Sequence, residues 1–161
     1  EGFSDVERET TYRVGVINGG NFVNVIPTEC HAEVLCVAPT PAAFAEVQQR
    51  MSSLISPDPD VHLVVESGPV RPLFEMQQAT EELYDVARRV ARNVGLDLSH
   101  GQFGGGSDGN FTGALGIPTL DGLGVCGDGV HTKQEHLLVS SLVPRSRLFA
   151  GLLEALAERN R

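Results

Sequence analysis

A chain of 161 residues with 41% hydrophobic and 20% charged content has the composition of a globular protein, and no apolar run approaches the ~20 residues that span a bilayer. Its net charge of −9 excludes a general polyanion binder, because nucleic-acid affinity rests on Lys and Arg neutralising phosphates. Three cysteines, Cys30, Cys36 and Cys126, form no CxxC pair and no even-numbered disulfide framework, so a reducing, cytoplasmic setting is expected.

Residues 1 to 13 show neither a start Met nor the basic-then-apolar pattern of a signal peptide, and the chain is expected to begin inside a longer protein. From Thr11, the alternation of Tyr12, Val14 and Val16 predicts a strand; Gly19, Gly20 and Asn21 predict a turn, and HAEVLCV at 31 to 37 a neighbouring antiparallel strand. Pro39 and Pro41 mark a helix start, and Phe44, Val47, Met51 and Leu54 follow at helical spacing, giving an amphipathic helix over roughly 41 to 55. SPDPD at 56 to 60 stops it, and the β-branched VHLVVES at 61 to 67 predicts another strand. This half reads as a small α+β sandwich.

GPVRP at 68 to 72 interrupts any regular element and places a domain boundary, dividing the chain into 1–69 and 70–161. Beyond it, Ala79, Leu83, Val86, Ala87, Val90 and Val94 form a helical stripe that should stop before Gly95. A short strand, a glycine-rich turn, a short helix, a strand at 117 to 123, a loop and a helix over 141 to 158 complete an α/β pattern.

Two runs carry chemistry. In GQFGGGSDGNF, residues 101 to 111, three glycines permit positive φ and expose N–H groups, and Ser107 or Asp108 can cap the next helix. Such a turn suits an anion or a carbonyl; a tight turn without a ligand accounts for it equally. It is not a P-loop, because no Lys follows the last glycine. A nucleotide-binding reading fails with it, since the segment before Gly104 is too short and polar for the required strand. In GDGVHTKQEHLLVSS, residues 127 to 141, His131 sits on a Gly-rich loop with Glu135 four residues on. Imidazole with a carboxylate neighbour suits zinc, although an isolated loop His is more simply a surface residue and Glu135 a solvated carboxylate. His31, His62 and His100 have no such setting.

Five runs in order, GlyGlyAsnPheValAsnValIlePro at 19 to 27, ArgProLeuPhe at 71 to 74, GlyGlyGlySerAsp at 104 to 108, GlyIleProThrLeu at 116 to 120 and GlyValHis at 129 to 131, resemble the co-catalytic zinc metallopeptidases that include glutamate carboxypeptidase, succinyl-diaminopimelate desuccinylase and aminoacylase. The resemblance implies that residues 1–69 are most of a lid or dimerisation domain and that 70–161 are the C-terminal part of a three-layer α/β catalytic domain. It makes His131 a zinc ligand, the one ligand of a two-zinc site that this chain contributes, with Glu135 beside it as a candidate partner. Gly104, Gly105, Gly106 and Ser107 would line the substrate pocket, Asn24 would reach the substrate from the lid, and Arg71 would hold a carboxylate; Arg suits that task because its planar fork matches a carboxylate bidentately. Residue chemistry alone leaves open a turn-capping role for Asn24 and a surface ion pair for Arg71. The arginine that commonly ends the strand after the AsnValIlePro run has no counterpart, Cys36 and Val37 standing there. The other ligands and the general base belong to motifs absent from this sequence, as does the segment that opens the lid. The implied activity of an intact enzyme is hydrolysis of an amide next to a carboxylate, in a small peptide or N-acyl amino acid, by a homodimer paired through the lid; this chain alone is expected to be inactive. The alternative is a non-catalytic dimerisation or interaction module.

Overall fold

The computed structural model describes residues 3 to 159; the expected ranges 1–69 and 70–161 reach outside it only at residues 1, 2, 160 and 161. The described chain mixes helices with small antiparallel sheets. It falls into two units, one comprising residues up to Leu73 together with Phe103–Gly106, the other Phe74–Gln102 and Ser107 onward.

In the first unit, β1 (Thr11–Gly19) and β2 (Cys30–Val37) pair antiparallel, from Thr11 opposite Val37 to Gly19 opposite Cys30. The ladder is irregular between Val14, opposite Val34, and Val16, opposite Glu33. Gly15 is therefore the extra residue of a bulge, a position where a missing side chain is an advantage. The bulge corrects the expected alternation: Val14 keeps the face of Tyr12, whereas Val16 moves to the face of Arg13.

The first helix, α1 (Pro41–Ser52), starts where Thr40 accepts a hydrogen bond from the Ala43 N–H at 3.1 Å and Pro41 fills the first turn, which needs no amide proton there. It buries Ala43 and Val47 and lays the Arg50 guanidinium over the Phe3 ring at 4.1 Å. Residues 61 to 67, expected as a strand, join no ladder among the described residues, and Val61, Leu63, Val64 and Val65 stay exposed. β-Branched composition fits a pleated surface, but only a neighbouring strand makes one.

The second unit is organised by α2 (Gln78–Asn93) and α4 (Val139–Arg159). The first ends in a two-bond left-handed cap: Gly95, at φ +74°, donates to the Arg92 carbonyl, and Leu96 donates to that of Ala91. Val86 and Ala87 pack with Leu152 of α4, and Leu98, Leu120 and Leu123 close over them. Gly151 admits the approach of the two helices, since a Cβ there would lie 2.8 Å from Val90 Cγ1. Between them, α3 (Gly109–Ala114) passes so near Phe74 that the ring occupies the space of a Gly113 side chain.

Residues 117 to 123 and the stretch before the glycine turn, both expected to include strands, form no ladder among the described residues. Thr119 is instead tied to Thr112 through their hydroxyls at 2.8 Å, and Leu120 and Leu123 point to the core. The ladder that does form, β3 (Gly127–Asp128) with β4 (His136–Leu137), is only two residues long on each side. No helix among the described residues is long and apolar enough to cross a membrane.

Candidate functional site

Each sequence-singled residue has a definite local setting. Asn24 lies in the exposed connection between β1 and β2, as the third residue of a turn closed backbone to backbone from Val25 N–H to the Phe22 carbonyl at 3.4 Å. The turn is thus held without its amide. Gly20 at the mouth of this connection takes φ +77° and lies against Pro27.

The glycine turn differs from expectation in one respect. None of Gly104, Gly105 and Gly106 adopts positive φ, so backbone freedom is not what the three glycines supply. Arg71 runs across the turn instead, its Cδ 2.9 Å from where a Gly106 Cβ would stand. Ser107 makes the next corner: its hydroxyl accepts from the Gly109 N–H at 3.1 Å and its own N–H donates to Asn110 Oδ1 at 2.9 Å. Ser107, rather than Asp108, therefore caps the short helix α3 with its side chain.

Around His131 the chain is tightly stapled. The Thr132 N–H donates to the Gly129 carbonyl at 3.0 Å, and the Thr132 hydroxyl donates to the same oxygen at 2.6 Å. This closes a four-residue turn whose third residue is His131, at φ +63°. That position ordinarily takes glycine or asparagine, because a Cβ is disfavoured there. Glu9, at φ +52°, is the other non-glycine residue with such a backbone among the described residues. Glu135 accepts from the His131 backbone N–H at 3.3 Å, so the carboxylate fixes the loop backbone, a role different from the expected contact with the ring. His136 faces away in bonding terms, its Nδ1 lying 2.8 Å from the Gln134 carbonyl.

The loop is anchored on both sides to the start of α4. Leu138 N–H donates to the Cys126 carbonyl at 2.8 Å, Cys126 N–H to the Ser141 hydroxyl at 2.9 Å, and Arg145 Nε to the Gly124 carbonyl at 2.6 Å, with a second guanidinium bond to the Gly122 carbonyl. None of these anchors was visible as a motif; only the density of glycine around them hinted at close backbone approaches. Gly129 combines a close approach with strain: at φ +72°, a Cβ would lie 2.9 Å from the Gln134 carbonyl group. Replacing Gly129 by Ala is expected to lower stability by about 1–3 kcal/mol through combined backbone strain and overlap, measured by urea denaturation; an unchanged midpoint would contradict the account.

As a zinc ligand His131 fits: its imidazole is exposed and its backbone is fixed before any ion arrives. No group of three or more His, Cys, Asp or Glu able to hold a metal gathers among the described residues. Elsewhere, partial burial raises the pKa of the Cys36 thiol, which keeps it protonated and unreactive.

Comparison with known proteins agrees with these motifs. Residues 6–155 match the family described as "Peptidase family M20/M25/M40". The chain is 28% identical over 157 residues to "Uncharacterized protein YqjE" of Bacillus subtilis (strain 168), covering 95% of this chain and 42% of that protein. It is 26% identical over 154 residues to "Carboxypeptidase G2" of Pseudomonas sp. (strain RS-16), covering 92% of this chain and 37% of that one. It therefore spans about two fifths of the length of these relatives. With the match running through the glycine turn and the His131 loop to residue 155, the chain belongs to peptidase family M20/M25/M40.

Proposed function

We propose that the intact protein is a zinc-dependent metallopeptidase or amidohydrolase that cleaves an amide bond beside a carboxylate, in a C-terminal glutamyl peptide or an N-acyl amino acid. The observation that carries this reading is His131, an exposed imidazole held at positive φ by a stapled loop in a chain of peptidase family M20/M25/M40. Similarity to a protein named carboxypeptidase supports the substrate class. Zinc in such a reaction supplies Lewis-acid polarisation of a carbonyl and lowers the pKa of a water molecule.

The chain's own residues bind and orient. His131 lends a nitrogen lone pair to the metal. Arg71 takes the substrate carboxylate in its fork, Asn24 supplies an amide to the substrate, and the Gly104 to Ser107 turn offers backbone donors with little side-chain bulk. Residues 1–69 are the lid, with 70–161 the end of a three-layer α/β catalytic domain. Homodimer formation through the lid is part of the same reading. A cytoplasmic location is part of the same reading, in keeping with three free cysteines.

The test is elemental analysis and hydrolysis with the intact gene product. The expected result is about two zinc ions per chain, as in two-metal hydrolases, with loss of turnover on chelation. Zinc-free protein without hydrolysis would instead establish the interaction-module reading. In the same protein, Arg71→Ala is expected to weaken a carboxylate-bearing substrate by about 1.5–3 kcal/mol, the worth of a charged hydrogen-bonded pair. Unchanged kinetics toward that substrate would remove Arg71 from the site.

A further inference from the structure

We propose that Gly106 is a positioning residue for Arg71: the absence of a side chain at this one place in the glycine turn determines where the guanidinium rests, and with it the affinity for a substrate carboxylate. The proposal rests on the assignment of Arg71 as the carboxylate holder. Because Gly104, Gly105 and Gly106 all avoid positive φ, alanine is conformationally admissible at each, and any need for glycine must come from neighbouring atoms. The three differ in just this respect. A Cβ at Gly104 would make ordinary contact with Val37 Cγ1 at 3.9 Å, and one at Gly105 would meet nothing within 4 Å. At Gly106 it would stand 2.9 Å from Arg71 Cδ, 3.1 Å from Nε and 3.7 Å from Cζ.

The overlap falls on the stem and the first guanidinium nitrogen, not on backbone. A methyl group there is relieved by rotation of the exposed Arg71 side chain to other staggered torsions, leaving the turn itself in place. The consequence is a displaced fork in a folded protein, and bidentate recognition of a carboxylate depends on that placement. Gly106 acts through Arg71 and touches no reacting atom in this account.

A double-mutant cycle in the intact protein tests it, with N-acetyl-L-glutamate as the calorimetric probe and KM and kcat measured in parallel. Gly106→Ala is expected to weaken binding about tenfold, a part of what a charged hydrogen-bonded pair contributes, raising KM more than it lowers kcat and leaving the melting temperature unchanged. In the Arg71→Ala background, Gly106→Ala should add nothing further. A full penalty in that background, or wild-type affinity in the single Gly106→Ala variant, overturns the positioning role. If Gly106→Ala is silent while Arg71→Ala weakens binding, only the positioning role falls. If Arg71→Ala is silent, or the wild-type protein does not bind the probe, the carboxylate assignment falls and takes the positioning role with it.

Discussion

Replacing His131 by Ala in the intact protein is expected to lower hydrolysis by several orders of magnitude while the fold survives. The side chain is exposed and its loop is held by the Gly129 carbonyl, the Thr132 amide and hydroxyl and the Glu135 carboxylate, none of which the substitution removes. Alanine retains a Cβ at φ +63°, so the strain of the turn is nearly the same before and after. Losing the imidazole removes a metal ligand, weakens retention of the ion and with it the source of hydroxide near neutral pH. Zinc content, turnover and thermal melting should be read together, with the metal-free wild type as control, because a bound metal itself raises the melting temperature. His131→Gly provides a second variant in which the turn is relaxed as well; it should be as inactive and no less stable than the metal-free wild type. Full turnover at full zinc occupancy in either variant would show that His131 is not a ligand.

The second large effect concerns stability. Leu148 in α4 is completely buried, at 0% exposure, whereas Leu153 on the same helix is 54% exposed. Truncating Leu148 to Ala removes buried methyl groups and leaves a cavity, an expected loss of about 2–5 kcal/mol. Leu153→Ala should change stability by no more than about 0.5 kcal/mol if that face remains solvated. Urea denaturation of the intact protein distinguishes the two. Equal midpoints for both variants would mean that Leu148 is not a core residue.

The parts of the fold that were legible in the sequence are those fixed by local chemistry. Pro41 announces the start of α1, and Gly95 the end of α2, because helix ends need particular residues at a particular offset. The strands at 61 to 67 and 117 to 123 were misread because β-branched composition reports a preference, while a strand is a relation to a second segment. The bulge at Gly15 and the two-residue ladder of β3 and β4 are likewise properties of pairing. Family membership was legible because five motifs in order constrain one another. Within the site, the three glycines were read as a source of positive φ, which falls instead at Gly129 and His131, while Gly106 alone of the three leaves room for the passage of Arg71. That passage joins residues 35 positions apart in the sequence, and no spacing rule reaches so far.

Pro144, inside α4, divides the helix into parts with different allegiances. It has no N–H to give to the preceding turn, so the ladder is interrupted just where Ser141 and Arg145 reach back to the 122–126 segment. On either side of it Ser141 and Arg145 bond to the 122–126 segment; further along, Leu152 packs against Val86 and Ala87 of α2. In hydrogen exchange such a boundary separates cooperative units. The amides at the start of α4 should open together with the 122–126 segment, while those well beyond Pro144 report the unfolding of the core.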